Sequence, residues 1–190
     1  DGAGKVMTGW PKTEDPTAGV DNGMGVAVTN TGEVFAAGSV NNVISATSGN
    51  DIWIRKYSGD GVVIWTRAIS AADTASSDVA RAIALRSDGD AIAVGNAAYS
   101  NQELWFARLS GAMGDVVWTR TMSGAGGGGD YLMALCIDGA DNVYAAGNVT
   151  TAGKGSNIWV AKYSPDCTTT VWADTNPDGV DGGAGGADYG

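Results

Sequence analysis

Hydrophobic positions in this chain fall into short runs rich in β-branched, aromatic and alanine residues, bounded by glycine, serine, asparagine and aspartate. Runs of this kind predict β-strands, and no segment is long and periodic enough to predict a helix. The runs recur in one order, which we label strands A, B, C and D. Strand A is predicted at Met24–Thr29, Arg81–Leu85 and Leu132–Ile137, strand B at Glu33–Gly38, Asp90–Gly95 and Asn142–Gly147, strand C at Asp51–Tyr57, Glu103–Leu109 and Asn157–Tyr163, and strand D at Val62–Arg67, Asp115–Arg120 and Thr169–Ala173.

Tryptophans fix the period of the repeat. Trp65, Trp118 and Trp172 lie in strand D and are 53 and 54 positions apart (118−65 and 172−118), and Trp10 precedes the first of them by 55 (65−10). Similar spacings relate the mid-repeat tryptophans Trp53, Trp105 and Trp159, which are 52 and 54 positions apart (105−53 and 159−105). Glycines that close strand B recur as well, at Gly38, Gly95 and Gly147. A fixed period in this range indicates a solenoid, a propeller or another array. Four antiparallel strands per period form one propeller blade.

The predicted fold class is all-β and β-propeller-like, with four-stranded antiparallel blades in three full repeats of about 54 residues and a partial blade at each end. We predict a last strand and a loop in residues 1–20, blade 1 in 21–67, blade 2 in 68–120, blade 3 in 121–173, and an Asp/Gly-rich loop with the start of a further blade in 174–190. A single two-layer sandwich is the main alternative, but it would not demand tandem self-similarity. Two explanations of the partial blades stay open: a segment of a longer chain, or pairing between subunits.

Strand C is apolar on both faces, with Ile52 and Ile54 pointing one way and Trp53 and Tyr57 the other. A strand of that kind is buried on both sides, as expected when blades stack face to face. Strand A favours small residues, which suits crowding near a central axis. An incomplete propeller would expose an unpaired strand edge and an apolar blade face, so we predict self-association.

A motif recurs in the repeats, at Asp130–Asp138, Asp141–Gly147, Asn157–Tyr163, the stretch to Trp172, Asp51–Tyr57 and Gly61–Trp65. In this motif the chain resembles the bacterial β-propeller repeats called SBBP (seven-bladed β-propeller). Their pattern runs roughly Asp-x-Ala-x-x-Ile-Ala-x-Asp, Gly-Asn-x-Tyr-x-x-Gly, Asp-x-x-x-x-Lys-Tyr and Gly-x-x-x-Trp. Repeat 2 departs from it at Glu103, Arg108 and Leu109. The resemblance covers about Asp21–Ala173, and it implies a propeller fold, an extracellular bacterial origin and no inherited catalytic residues.

Acidic residues outnumber basic ones, 21 against 11, which gives a net charge of −10 and a pI near 4.2. This charge disfavours nucleic acid and anionic membranes as partners, since both require basic patches. No run reaches the length of a membrane-spanning helix, so we predict no membrane insertion. The loops are rich in Gly, Ser, Thr, Asn and Ala, as is common in extracellular and cell-surface bacterial proteins. Cys136 and Cys167 are predicted to be free thiols, because two strand spacings would separate them.

Loop length varies at one end of the predicted blades. The A–B and C–D turns are short and share one end. The longer connections share the other end: the B–C loops at Ser39–Asn50, Asn96–Gln102 and Asn148–Ser156, and the D–A loops at Ala68–Ser77, Thr121–Gly129 and Asp174–Ala187. On a rigid scaffold, a face of this kind is where binding is usually built.

Catalytic candidates are few. The chain contains no histidine, which excludes a Ser-His-Asp or Cys-His arrangement and histidine-based zinc sites. Paired carboxylates can hydrolyse glycosides, and the loops hold or adjoin Asp73, Asp78, Asp130, Asp178 and Asp181. Acids are common in loops, so a carbohydrate-active enzyme is an alternative rather than the main prediction.

Asp174, Asn176, Asp178 and Asp181 are the candidate metal ligands. Their spacing, Asp-x-Asn-x-Asp-Gly, places three oxygen side chains at alternate positions, and its glycine permits the sharp turn of a calcium loop. The twelfth position, where an EF-hand has a bidentate acid, is Gly185. A solvated Asp/Gly turn explains the same residues and is the favoured interpretation. If a cofactor is bound here, the hard oxygen ligands select Ca²⁺.

The sequence therefore predicts a non-enzymatic, extracellular or cell-surface protein with a structural or interaction role. Its blades would present the variable-loop face to a glycan, a protein or a sibling subunit, and incomplete blades would mediate self-association. A calcium-stabilised adhesin is the second alternative, beside the carbohydrate-active enzyme.

Overall fold

Twelve β-strands make up the part of the chain that the computed structural model describes, residues 10–13, 19–41, 43–44, 49–70, 77–98, 102–123 and 127–174. The strands are β1 Asn22–Val28, β2 Val34–Asn41, β3 Asn50–Tyr57, β4 Val63–Ile69, β5 Val79–Leu85, β6 Ala91–Ala98, β7 Gln102–Leu109, β8 Val116–Met122, β9 Tyr131–Ile137, β10 Val143–Thr151, β11 Gly155–Tyr163 and β12 Thr170–Asp174. They form three four-stranded antiparallel sheets, β1 to β4, β5 to β8 and β9 to β12, which we call units 1, 2 and 3.

The predicted strands A, B, C and D are confirmed in all three units, and with them the all-β class and the four-stranded antiparallel repeat. The closed ring of a propeller, the partial blades and the blade boundaries stay predictions. No helix in the described part of the chain is long and apolar enough to cross a membrane.

The three units repeat their irregularities as well as their strands. The register of strand A against strand B shifts once in each unit, between Gly23 and Gly25, between Ala80 and Ala82, and between Ala146 and Gly147. The register of strand C against strand D also shifts once, at Lys56/Tyr57, Arg108/Leu109 and Lys162/Tyr163. Because each bulge redirects the residues around it, bulges at matching places keep equivalent side chains on the same face in every unit.

The prediction that a glycine closes strand B is wrong. The strands continue beyond Gly38, Gly95 and Gly147, because the residues that follow go on pairing with strand C, as Ser39 does with Ile52. The glycines are required for a different reason: a Cβ atom at each would lie 1.8 or 1.9 Å from a carbonyl oxygen of strand A. The B–C loops are consequently shorter than predicted, at 42–49, 99–101 and 152–154.

Apolar side chains fill the space between neighbouring units. Strand β5 contacts β1, β2 and β3, and β9 contacts β5, β6 and β7. The first core packs Phe35, Ala37, Ile52, Ile54 and Trp65 of unit 1 against Ala80, Ile83, Ala91, Ala93, Trp105 and Leu109 of unit 2. The second packs Ile92, Val94, Leu104 and Phe106 of unit 2 against Leu132, Val143, Ala145, Trp159 and Tyr163 of unit 3. Trp53 and Tyr57 are buried on the other side of unit 1, so the predicted two-sided burial of strand C is confirmed.

Strand A is crowded where two units meet, which accounts for its small residues. A Cβ atom on Gly25 would lie 3.0 Å from the Cα atom of Ala82 in the next unit. The two cysteines are free thiols, as predicted. Cys136 in β9 is exposed, whereas Cys167 is buried, and burial raises the pKa of Cys167 to about 11.

Candidate functional site

The two ends of the units differ in how much their connections vary. At one end, which we call the short-turn end, lie the A–B turns 29–33, 86–90 and 138–142 and the C–D turns 58–62, 110–115 and 164–169. At the other, which we call the loop-bearing end, lie the B–C connections 42–49, 99–101 and 152–154 and the D–A connections 70–78 and 123–130. The C–D turns differ by a single residue, so the larger variation lies at the loop-bearing end, as predicted.

Units 2 and 3 accept hydrogen bonds from the unit before them through an equivalent backbone carbonyl of the C–D turn. In unit 2 the carbonyl of Gly111 accepts from Trp65 Nε1 at 3.2 Å and from Lys56 Nζ at 3.0 Å. In unit 3 the equivalent carbonyl of Pro165 accepts from Arg86 Nη1 at 2.6 Å. Hydrogen bonds at the short-turn end therefore join each of these units to the one before it.

Trp10 makes the same kind of contact on the outer side of unit 1. Its Nε1 donates to the carbonyl of Gly59 at 3.1 Å, and its ring lies 5.5 Å from the ring of Tyr57. Gly59 occupies in unit 1 the turn position that Gly111 occupies in unit 2. Trp10 therefore contacts the C–D turn of unit 1 in the way that Trp65 contacts the C–D turn of unit 2.

Charged side chains complete the contacts at the short-turn end. The carboxylate of Asp141 in unit 3 accepts from Ser87 N at 2.8 Å and from Ser87 Oγ at 2.6 Å, and it lies 3.4 Å from Arg86 Nη2. These hydrogen bonds, more than the charge of Arg86, lower the pKa of Asp141. Between units 1 and 2, Arg67 Nη2 donates to the carbonyl of Met113 at 2.8 Å. The short-turn end is thus occupied by contacts within the protein.

Carboxylates at the loop-bearing end hold the backbone of the loops. Asp130 Oδ1 accepts from Thr150 N at 2.7 Å, and Asp21 Oδ1, in the same position of unit 1, accepts from Asn41 N at 3.0 Å. Asp51 Oδ2 accepts hydrogen bonds from two backbone amides of the B–C loop, those of Val43 and Ile44, at 3.0 Å each. These acids stabilise the ends of strand B and the B–C loop of unit 1.

Asp78 and Asp130, two of the carboxylates considered for glycoside hydrolysis, are only 1% exposed. Their backbone amides donate to strand C of the preceding unit, from Asp78 to Asn50 O at 2.7 Å and from Asp130 to Gln102 O at 2.8 Å. A general acid or base must reach the atom whose proton it transfers, and side chains buried to this degree are not presented to a glycan. The other candidates, Asp73, Asp178 and Asp181, lie outside the described residues.

Asp174 is the one candidate calcium ligand that the structure describes, as the exposed last residue of β12. Asn176, Asp178 and Asp181 lie outside the described residues. Within residues 10–174, apart from the undescribed gaps, no group of three or more acidic or cysteine side chains is arranged to hold a metal ion. The calcium site stays a prediction.

Unit 1 presents an apolar surface on the side away from unit 2, which we call the leading face. Val26 and Val28 are 71% and 63% exposed there. Beside them Trp10, Val40 and Trp53 line a groove of about 300 Å³. The leading face is therefore only partly covered.

On its side away from unit 2, unit 3 presents a surface of two aromatic rings and a lysine. We call this surface the trailing face. The rings of Tyr144 and Trp172 lie 6.4 Å apart at an angle of 64°, and Lys162 Nζ lies 5.1 Å from the centroid of the Tyr144 ring. Hydrogen bonding to Tyr144 is the main cause that raises the pKa of Lys162. Trp172 is 46% exposed.

The predicted site residues did not include the Tyr144, Lys162 and Trp172 cluster. A signal for it exists in the sequence, because an aromatic residue, a lysine and a tryptophan also occupy the equivalent positions of the first repeat, at Phe35, Lys56 and Trp65. It could have been found by aligning the repeats by strand face rather than by strand order.

Comparisons with known proteins add little to this geometry. No protein-family model matches the chain, and no curated protein matches it. Among solved structures, the chain is similar to the tail fiber of Staphylococcus aureus phage P68, with 12% sequence identity, a TM-score of 0.30, and coverage of 89% of this chain and 41% of that chain. The SBBP-type repeat stays a prediction.

Proposed function

We propose that this chain is a non-enzymatic structural and interaction module of the propeller type, extracellular or at a cell surface, whose loop-bearing end binds a partner. Three equivalent sheets give a rigid support, and binding residues are commonly carried on loops that such a support positions. An SBBP-type repeat and an extracellular location belong to this proposal.

The contrast between the two ends carries the proposal. At the short-turn end the polar groups of Gly111, Pro165 and Asp141 are already engaged by the neighbouring unit. At the loop-bearing end the connections differ between units, and the buried Asp130 and Asp51 fix their bases. The B–C loops can therefore change in length and chemistry while the contacts of the short-turn end stay the same.

The partner is proposed to be a glycan, a protein or a sibling subunit. A net charge of −10 opposes binding of a polyanion. The B–C connection of unit 1, residues 42–49, is the longest of the three B–C connections and includes two exposed apolar residues, Val43 and Ile44. We assign the principal contact to this loop.

Glycan binding by the full chain tests the proposal. The labelled chain would be applied to a glycan array, beside a variant in which residues 42–49 are replaced by Ala-Gly-Lys, the B–C turn of unit 3. Because a three-residue turn closes the same strand pair in unit 3, the variant should fold, and its signal on any glycan bound by the wild type should fall at least tenfold.

Thr31→Ala, in the exposed A–B turn of unit 1, is the matched control at the short-turn end and should bind like the wild type. Circular dichroism would verify that both variants fold. Binding that survives the loop replacement but is lost in Thr31→Ala would contradict the proposal. Absence of glycan binding by the wild type would restrict the partner to a protein or a sibling subunit.

A further inference from the structure

The interface between units 1 and 2 shows how one unit recognises the next. On unit 1 the rings of Phe35 and Trp65 lie 5.7 Å apart at an angle of 74°, and Lys56 Nζ lies 5.1 Å from the centroid of the Phe35 ring. This cluster directs two N–H donors, Trp65 Nε1 and Lys56 Nζ, at the carbonyl of Gly111. All three side chains are buried, and Trp65 is 7% exposed.

The trailing face of unit 3 carries the same cluster. Tyr144 pairs with Lys162, and Lys162 with Trp172, in the register that joins the three cluster positions of unit 1. The distance from the lysine Nζ to the aromatic ring is 5.1 Å in both units. Trp172 is 46% exposed, whereas Trp65 is 7% exposed, so the cluster that unit 2 covers in unit 1 is accessible in unit 3.

The leading face of unit 1 is the matching half. In unit 2, two of the residues that pack against unit 1 are Ile83, which is 6% exposed, and Leu85, which lies against the core between units 1 and 2. The equivalent residues of unit 1, by their pairing with strand B, are Val26 and Val28. Both are exposed, although they are apolar and lie on the same side of the sheet as Ile83, which is buried, and Leu85, which is partly buried.

We propose that the trailing face of unit 3 binds the leading face of unit 1 in a second copy of this chain, so that copies associate head to tail. A trailing face already packs on a leading face twice within the chain, between units 1 and 2 and between units 2 and 3. A second copy supplies both halves of that interface. The inference does not depend on what the loop-bearing end binds.

Trp10 regulates this association. The incoming cluster would donate to the carbonyl of Gly59, the counterpart of Gly111, and Trp10 Nε1 already donates to that carbonyl. Trp172 of the second copy therefore has to displace Trp10 from the leading face. Removal of Trp10 should strengthen association, whereas removal of Trp172 should weaken it.

Such an interface joins two different surfaces and is heterologous. Its repetition gives a closed ring when the rotation between copies closes and an open filament when it does not. In both cases, the fraction of chains that are associated rises with protein concentration.

Light scattering and sedimentation of the full chain, over a wide range of concentration, test the proposal. The wild-type mass should rise with concentration. Trp172→Ser and Lys162→Ala should each weaken association at least tenfold, and Trp10→Ala should strengthen it at least threefold. Trp10→Phe, which keeps the ring and removes the donor to Gly59, provides the same test if the alanine variant fails to fold.

Val171→Ser is the matched control. Val171 is the exposed neighbour of Trp172 on β12, and its counterparts Ile64 and Val117 are exposed even in units whose trailing faces are packed. Val171→Ser should therefore associate like the wild type. Monomers at every concentration for the wild type and both Trp10 variants would overturn the proposal, and so would association unchanged by Trp172→Ser and Lys162→Ala.

Discussion

Gly38, Gly95 and Gly147 stand at points in strand B where no side chain fits. At Gly95 a Cβ atom would lie 1.9 Å from the carbonyl oxygen of Val79, which is backbone in a paired strand and cannot move away alone. Gly95→Ala should lower the free energy of unfolding by about 1–3 kcal/mol or more, because overpacking forces the backbone to shift. Urea unfolding of the variant measures the loss.

Gly139→Ala is the control for this substitution. Gly139 lies in an A–B turn, has open space within 4 Å of a Cβ atom and has no positive φ. Alanine there should leave stability unchanged or raise it by about 0.4–1 kcal/mol, since it restricts the unfolded chain. Equal losses in the two variants would show that the close approach to Val79 is not the cause.

Asp138 gives the A–B turn of unit 3 a pH dependence. Its carboxylate accepts from Asn142 Nδ2, from two backbone amides and from the hydroxyl of Tyr144. These hydrogen bonds, that of the Asn142 side chain first, lower the pKa of Asp138 to about 2. Because an aspartate in an unfolded chain has a pKa of about 3.9, this stabilisation is present above about pH 4 and is lost as the pH falls toward 2.

Asp138→Asn should therefore reduce the decline of the unfolding midpoint between pH 4 and pH 2. Asn142→Ala should do the same, because it removes the main hydrogen bond that lowers the pKa. Part of the decline should persist in both variants, since hydrogen bonds from Ser164 and Thr168 lower the pKa of Asp166 to about 2 as well. A wild-type decline in both variants would refute the assignment to Asp138.

Strand D of unit 1 is anchored to unit 2 through Trp65. Its ring is buried beside Phe35 and its Nε1 donates to Gly111 O. Trp65→Phe should lower the free energy of unfolding by about 1–3 kcal/mol, because it removes a buried donor and leaves a cavity. Trp172→Phe is the matched control at the same strand position of unit 3, where the ring is exposed, and it should change stability by less than about 0.5 kcal/mol. Equal effects in urea unfolding would argue against the inter-unit contact.

The strands could be predicted from the sequence because two independent signals mark them, the short apolar runs and their period. The end of strand B could not be predicted. A glycine such as Gly38 is typical of a strand end, but here glycine is required because a Cβ atom would collide with the carbonyl oxygen of Asn22 on the paired strand. That constraint is a tertiary contact. The same limit applies to the turns, since a carbonyl acceptor such as that of Gly111 has no side-chain signature.

The candidate sites were less predictable than the units. Asp130 was a candidate catalytic acid in or beside a variable loop, whereas its carboxylate accepts a hydrogen bond from a backbone amide and is buried. Which end of the units varies could be predicted from connection lengths alone. The cluster at Tyr144, Lys162 and Trp172 depends on which face each residue occupies, and the bulges decide that face.

Insertions at the two ends of the units should have unequal effects. Insertion of Gly-Gly-Ser-Gly between Ser87 and Asp88, at the short-turn end, would displace the two hydrogen bonds from Ser87 to Asp141, and it should cost about 1–3 kcal/mol. The same insertion between Gly153 and Lys154, at the loop-bearing end, extends an exposed turn. It separates Lys154 N from its acceptor Thr151 O, a turn hydrogen bond whose groups water can hydrate instead. The main cost should therefore be chain entropy, roughly 0.6 kcal/mol for each doubling of the loop. Urea unfolding of both variants measures the difference.

A larger loss for the insertion after Gly153 would mean that contacts of the loop-bearing end contribute more to stability than those of the short-turn end. The proposal that its loops are free to bind a partner would then fail.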